Sequence, residues 1–243
     1  MTEQAAQINK SNTPATWEAL IEIAVFLAFL LAVYYYVPSF FTFRDVMIPL
    51  RVPLLFLFGW ASLRRRNMNW GDLGFLRPPN WQNTILLGAG LGIGLQILVI
   101  LLVGPIVRQV TGGRQDLHVF TNMADGNFIA LLGWLAVSWT FAAFGEELVY
   151  RGYLLNRLGD LTGSTDLGWG ISLLAVTLLF GLVHAYQGVN GMLLAGFSGL
   201  AQGLVYLATR RNLWVGIICH GVTDTVGFIL IYILLQCCPG TLG

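Results

Sequence analysis

The chain has 243 residues, of which 56% are hydrophobic and only 10% are charged. Soluble domains carry about 25% charged residues, so this composition excludes a water-soluble fold, whose exterior needs more charge. The formal net charge of +1, with basic residues scattered along the chain, gives no indication of a nucleic-acid partner. The three cysteines, Cys219, Cys237 and Cys238, have neither a disulfide pattern nor metal-ligand spacing and are expected to be small packing residues.

Apolar runs of about 20 residues, the length of a bilayer-spanning helix, predict an all-α transmembrane bundle of about seven spans. Residues 1–16 are polar and are expected to be a disordered tail rather than part of a signal peptide. Residues 17–238 are expected to form a single membrane-embedded domain, with a motif-bearing core at about 128–235. In chain order, the first four predicted spans cover residues 23–38, 46–63, 84–107 and 128 to beyond 145. Pro49, Arg51 and Pro53 interrupt the second of these. Residues 167–209 are long enough for two spans, joined at about 186–190, and the last span covers 213–235.

Glycines mark two of the predicted spans. Gly90 and Gly94 in the third span, and Gly199 and Gly203 in the sixth, stand four residues apart. That spacing lets helix backbones approach closely in lipid, so we expect both pairs to lie at helix–helix contacts.

The basic residues predict the orientation of the bundle. Cytoplasmic loops carry an excess of lysine and arginine, and this is satisfied when the N-terminus lies in the cytoplasm. In this orientation the basic residues on the cytoplasmic side are Lys10, Arg64, Arg65, Arg66, Arg77, Arg151, Arg157, Arg210 and Arg211. Those on the external side are Arg44, Arg108 and Arg114. The protein is expected in a plasma membrane of bacterial type, in contact with membrane lipid.

Three sets of ionisable residues fall inside apolar spans, where each charge costs at least ~2.5 kcal/mol by insertion scales. The first set closes the fourth span. Glu147 and Arg151 stand four apart, in the order that favours a helical ion pair, and this pairing leaves Glu146 without a local partner. The same pattern also fits a helix that simply ends at the membrane interface with charged last turns.

The other two sets contain histidines. His184 follows Phe180 by one turn in the fifth span, and His220 and Asp224 share a helix face early in the seventh. Each alone also fits a structural hydrogen bond inside a bundle. Together with Glu146, however, they place ionisable groups on three helices, and such groups face the bundle interior and find one another. The sequence therefore predicts one polar cluster that can move protons near neutral pH.

These motifs, in this order, resemble those of the CAAX protease and bacteriocin-processing family, which includes the type II CAAX prenyl endopeptidases. Segments 72–78 and 209–217 also resemble segments of that family, and the resemblance covers about residues 71–235. The matching motif residues are Glu146, Glu147 and Arg151, then Phe180 and His184, then His220 and Asp224.

The resemblance implies an intramembrane endopeptidase of the glutamate type that needs neither a metal nor another cofactor. Its substrate would be a peptide or protein, lipidated near its C-terminus in the case of the type II enzymes. Glu146 and His184 would activate the attacking water, and the third motif would stabilise the oxyanion. The supporting residues would be Glu147, Arg151 and Phe180.

Asp224 departs from the family pattern, because many relatives have asparagine there. An ionised carboxylate repels an oxyanion, whereas an asparagine amide donates to it. Either Asp224 is protonated, or it orients His220 and only His220 donates; we favour the second alternative.

Three other functions remain open at this point. A zinc protease could use Glu146, His184, His220 and Asp224 as ligands, although the His-Glu-x-x-His motif is absent. A non-catalytic interaction or immunity-type membrane protein would have the same fold. A proton-coupled transporter is disfavoured because the sequence contains no inverted repeat.

Helix lengths create a conflict of depth within the predicted cluster. At 1.5 Å per residue, His220 would lie ~10 Å below the cytoplasmic face and His184 ~24 Å below it. Glu146, at the end of its span, would lie close to that face. The three can meet only if the fifth helix starts inside the membrane, tilts strongly, or is wrongly assigned.

Overall fold

The computed structural model describes residues 16–36, 51–117 and 127–237 of the chain. Lys10, Arg44, Pro49, Cys238 and nearly all of the predicted tail lie outside these residues. The described residues form seven helices and no strand, which confirms the predicted all-α fold. The helices are α1 (Thr16–Tyr36), α2 (Arg51–Arg65), α3 (Trp81–Thr111), α4 (Phe128–Leu161), α5 (Asp166–Val183), α6 (Gly188–Ala208) and α7 (Leu213–Cys237).

Six of these helices, all except α2, are long and apolar enough to cross a membrane, so the chain is a multi-pass membrane protein. The predicted connection at residues 186–190 is found as a 3-10 turn, Ala185–Gln187. Polar caps define several helix starts, since their side chains satisfy backbone N–H groups that have no partner within the helix. Asn80 accepts from Asn83 N at 3.0 Å, Asn127 from Ile129 N at 2.9 Å and Thr165 from Gly168 N at 3.1 Å.

Helix α4 lies at the centre of the bundle and packs against α2, α5 and α7. Its middle part, Ser138–Leu155, is π-helical, and residues 145–155 are buried without interruption. A helix that is buried on all sides must supply partners for every polar group it carries. The helix also continues to Leu161, so the predicted end of the fourth span near Arg151 is wrong.

The extension of α4 is held by an ionic cluster with α1. The guanidinium of Arg157 is buried and contacts Glu22 Oε2 at 2.5 Å and Asp160 Oδ2 at 2.6 Å. Arg66 contacts the same Asp160 oxygen at 3.5 Å, which places the end of α2 beside the end of α4. Arg157 and the equally buried Arg151 therefore belong to the helix interior, and neither is one of the loop residues on which the orientation rule depends.

The two family-like segments outside the motifs contact each other. Gly74 ends the 3-10 turn Trp70–Leu73 with φ of 95°, and its carbonyl oxygen accepts from Leu213 N at 3.2 Å. A side chain at Gly74 would collide with the Arg211 carbonyl oxygen. The Tyr206 hydroxyl donates to Leu73 O at 2.8 Å. The segment before α3 thus fixes the corner from which α7 enters the bundle.

Glycines bring α3 against α7 and α6 against α5. Gly199 and Gly203 lie against Phe180 and Leu173 of α5, as predicted. In α3 the glycines that contact α7 are Gly88 and Gly92, and not the predicted pair: Cβ atoms at Gly90 and Gly94 would meet nothing within 4 Å. Both pairs have the same spacing, and the rotation of α3 decides which one faces its neighbour.

We expect Gly92→Ala to destabilise the protein by about 1–3 kcal/mol, because the added methyl group would overpack a backbone contact. Its Cβ would lie 2.5 Å from the Cys219 carbonyl oxygen. Gly90→Ala is the matched control and should be neutral or stabilising by up to ~1 kcal/mol, since alanine is the better helix former. Thermal unfolding in one detergent measures both, and equal effects would contradict the α3–α7 interface.

Candidate active site

Four side chains predicted to be catalytic line one cavity of about 150 Å³ inside the bundle. A cavity needs only about 10–15 Å³ of such volume for one water molecule, so this one has room for several. Tyr34 of α1 and Tyr186 of the α5–α6 turn line the same cavity. The four predicted residues are Glu146, His184, His220 and Asp224.

The length of α4 removes the conflict of depth. Glu146 stands 15 residues before the end of α4 at Leu161, roughly 20 Å along the helix. His184 stands 18 residues after the start of α5 at Asp166, roughly 27 Å along an adjacent helix that returns from that end. The expectation that Glu146 lies close to the membrane face is therefore wrong.

Helix α7 also begins well inside the bundle, some distance along α4 from its end at Leu161. Leu213, its first residue, lies against Gly152: Leu213 Cδ1 is 3.2 Å from the position that a Cβ atom on Gly152 would occupy. Gly152 is nine residues before the end of α4, roughly 13 Å, and His220 lies seven residues further along α7, roughly 10 Å. His220 therefore reaches the depth of Glu146.

The predicted Glu147–Arg151 ion pair is confirmed, with Arg151 Nη1 2.8 Å from Glu147 Oε1 and both side chains fully buried. Arg151 Nη2 donates to Gly199 O at 3.0 Å and to Gln202 Oε1 at 2.9 Å on α6. The same Glu147 oxygen also bonds His220 Nδ1 at 3.1 Å. This contact was not expected from the sequence, and it makes Glu147 the direct partner of a candidate catalytic group.

Phe180 fills the space between these groups. Its ring lies 4.6 Å from the Arg151 guanidinium carbon, 4.8 Å from the His184 ring and 6.4 Å from the His220 ring. A cation over an aromatic face is attractive, especially away from water. Phe180 thus packs both histidines and the arginine into fixed positions.

His184 caps the C-terminal end of α5 rather than lying within a helix. Its Nδ1 is 2.7 Å from the Phe180 carbonyl oxygen. A carbonyl oxygen only accepts hydrogen bonds, so Nδ1 carries the hydrogen. In the neutral ring, Nε2 is then the nitrogen with a free lone pair.

Asp224 is held mainly by Ser138, a residue that was not expected in the site. The buried Ser138 hydroxyl of α4 lies 2.6 Å from Asp224 Oδ2, a short hydrogen bond. His220 Nε2 is 3.7 Å from the same oxygen, which is ion-pair contact but beyond hydrogen-bond distance. Of the two carboxylates beside His220, Glu147 therefore makes the hydrogen bond. No local motif marks Ser138, because it meets Asp224 only through the packing of α4 on α7.

A larger cavity of about 1010 Å³ shares His184, His220 and Asp224 with the smaller one. It lies between α3, α6 and α7, and most of its lining side chains are apolar, including Val99, Leu194 and Ile231. The candidate site therefore adjoins a larger, mostly apolar space. In the described part of the chain, no three or more His, Cys, Asp or Glu side chains are grouped so as to hold a metal ion.

The helical bundle brings its Glu-Arg, Phe-His and His-Asp motifs together, as the resemblance to intramembrane proteases of the CAAX type predicted. Residues 128–226, from the start of α4 into α7, match the family model for type II CAAX prenyl endopeptidase Rce1-like proteins. This match supports the assignment to the CAAX protease and bacteriocin-processing family that the motifs predicted. No curated protein and no solved structure matches the chain.

Arg151→Ala should lower the amount of folded protein more than the activity of each folded molecule. The substitution leaves the fully buried Glu147 carboxylate without its arginine, and breaking a buried pair in this way costs about 3–5 kcal/mol. Detergent melting temperature and activity per folded molecule test this, with the exposed Arg64→Ala as the control. A stable but inactive Arg151→Ala protein would move Arg151 into the catalytic group.

Asp224→Asn should reduce activity, and the loss should be greater at high pH than at low pH. Asparagine still accepts from Ser138, but it removes one of the two carboxylates that support a positive charge on His220. Without that support His220 gives up its proton more readily as the pH rises. The measurement is a pH–rate profile beside the unsubstituted protein; an unchanged profile with full activity would show that Asp224 does not support His220.

Proposed function

We propose that the chain is an intramembrane endopeptidase in which Glu146 and His184 activate a water molecule that hydrolyses a peptide bond. The observation that supports this most is that Glu146, His184 and His220 come from separate elements and line one buried cavity. General acid–base groups are recognised by such convergence on a reacting water. The family match supports a peptidase in general terms.

Glu146 is the group in this cavity suited to act as the general base. Its neighbour Glu147 is occupied by Arg151 and His220, whereas Glu146 lines the cavity. Glu146 takes a proton from the water while the water oxygen bonds to the carbonyl carbon and the carbonyl electron pair moves to oxygen. When the carbon–nitrogen bond breaks, the same proton passes to the leaving amine. A positioned base of this kind contributes about 10²–10⁴-fold.

His184 holds the attacking water together with Glu146. Its Nδ1 hydrogen is committed to Phe180 O, so Nε2 is the atom that accepts from water. Its position at the end of α5 and the contact with the Phe180 ring limit its rotation. An oriented neutral imidazole lowers the cost of placing the water for attack.

His220 is the proposed donor to the oxyanion. Its Nδ1 is bonded to Glu147, which leaves Nε2 as the atom for the reacting carbonyl oxygen. A hydrogen-bond donor aimed at the developing negative charge is often the largest single contribution to such catalysis. Asp224, held by Ser138, is proposed to balance the charge of His220 rather than to donate.

The substrate is proposed to be a peptide that carries an apolar chain near its C-terminus. The mostly apolar lining of the cavity that shares His184, His220 and Asp224 supports this, and the family description includes prenyl endopeptidases. We propose further that no metal takes part, so activity should survive a chelator that removes zinc. Zinc-dependent activity would favour the alternative in which these residues bind the metal.

The N-terminus of α1 is proposed to face the cytoplasm. Arg66 contacts Asp160, and Arg211 donates to Asn156 Oδ1 at 3.1 Å, so basic residues from two loops lie at the end of the bundle where α4 finishes. Glu22, near the start of α1, reaches Arg157 at the same end. An excess of arginine at one end is typical of the cytoplasmic side.

Glu146→Gln should abolish activity with little change in stability, because glutamine keeps the shape of the side chain but takes no proton. The measurement compares new peptide termini in membranes that contain the unsubstituted protein with those in membranes that contain Glu146→Gln, so no substrate has to be chosen beforehand. The exposed Glu18→Gln is the matched control and should retain full activity. Near-normal cleavage by Glu146→Gln would refute the glutamate mechanism.

A further inference from the structure

The proposed mechanism, on which this inference rests, leaves the oxyanion short of one donor. Asparagine at position 224 could donate to the oxyanion, but this chain has Asp224, whose Oδ2 already accepts from Ser138 and lies 3.7 Å from His220 Nε2. An ionised carboxylate in that position only accepts. Oxyanion sites commonly combine two or more donors, so another group of the cavity has to supply the second.

Three of the donor side chains that line the cavity are already committed to other partners. The Ser138 hydroxyl donates to Asp224, and His184 Nδ1 donates to Phe180 O. Both ends of the Gln187 amide are engaged, since Oε1 accepts from Gln115 Nε2 at 2.7 Å and Nε2 donates to the Tyr186 hydroxyl at 2.9 Å. Among the described residues that line this cavity, the other O–H and N–H donors are those of Tyr34, Trp134, Tyr186 and His220. Tyr34 has a hydrogen bond with Tyr150 of α4.

Tyr186 stands out among the other donors because its hydroxyl oxygen is fixed in the turn that also carries His184. That oxygen accepts from Gln187, so its own hydrogen remains for a second hydrogen bond. Tyr186 also lies two residues after His184 in the same tight turn, with ring centroids 5.8 Å apart. Gln115 holds Gln187, and Asp116 N donates to Gln187 O at 3.0 Å, which anchors the turn to the segment after α3.

We propose that Tyr186 is a catalytic residue whose hydroxyl donates a hydrogen bond to the oxyanion, beside His220. It performs the role for which an asparagine at position 224 would be suited and Asp224 is not. The hydroxyl keeps its proton throughout, so the step needs no further proton acceptor. The gain arises only when negative charge develops on the carbonyl oxygen, and it therefore raises kcat more than it lowers KM.

The test combines four variants: Tyr186→Phe, Tyr34→Phe, Trp134→Phe and Tyr232→Phe. New termini in membranes identify cleavage sites first, with Glu146→Gln as the inactive reference. A peptide that spans one identified site then gives kcat and KM. We expect Tyr186→Phe to lower kcat by about 10²–10³-fold, the usual effect of removing one oxyanion donor, with KM and melting temperature nearly unchanged. Tyr232, which packs on Phe128 outside the cavity, is the control that should behave as the unsubstituted protein.

Incorporation of 3-fluorotyrosine at position 186 keeps the donor and the fold, and should retain activity even if Tyr186→Phe proves unstable. Full kcat in Tyr186→Phe, or loss of activity with 3-fluorotyrosine, would overturn the assignment while the glutamate mechanism stands. A large kcat loss in Tyr34→Phe or Trp134→Phe, with none in Tyr186→Phe, would assign the donor elsewhere. If the unsubstituted protein and Glu146→Gln produced the same termini, the proposed glutamate mechanism would fail, and this inference with it.

Discussion

The buried carboxylate of Glu147 is the group on which the rest of the site depends. A charge that is fully removed from water is tolerated only with close partners, and Glu147 has Arg151 at 2.8 Å and His220 at 3.1 Å. Arg151 in turn donates to Gly199 O and Gln202 on α6. One desolvated charge thus ties α4 to α6 and α7, and it sets the position of His220 in the candidate site.

Adjacent glutamates consequently have opposite environments. Glu147 is enclosed by partners on α4 and α7, whereas Glu146 points to a different side of the same π-helical stretch and lines the cavity with His184. This arrangement suits general-base catalysis. Glu147 is held in place by its partners, and the proposed base, Glu146, faces the space in which the water would react. The long buried part of α4 therefore serves packing and also carries the proposed chemistry.

Local patterns were enough to predict the helices and the residues of the cluster. Apolar length marks a span, and the spacing of Glu147 and Arg151 marks an ion pair, so neither depends on the tertiary fold. The end of α4 could not be predicted in this way, because Arg157 looks like an interfacial charge until Glu22 of α1 is known to bury it. The contact face of α3 and the meeting of Ser138 with Asp224 likewise depend on how one helix is rotated against another. The family resemblance supplied the proposed chemistry, but it did not predict that Glu147 would be the hydrogen-bond partner of His220.

Charge balance explains why an aspartate is compatible with this site. With His220 protonated, the positive charges of Arg151 and His220 balance the negative charges of Glu147 and Asp224. Glu146 is then the one group of the cluster whose charge is unbalanced, and burial away from bulk water penalises an unbalanced charge. In the proposed mechanism, taking a proton from water neutralises Glu146 and moves the negative charge to the carbonyl oxygen, next to the His220 cation. An asparagine at position 224 would leave the resting cluster with a positive charge opposite Glu146, which would stabilise the ionised base and weaken its drive to accept a proton. Asp224 removes that stabilisation, and under the proposed mechanism the oxyanion must then take its second donor from the neutral groups of the cavity.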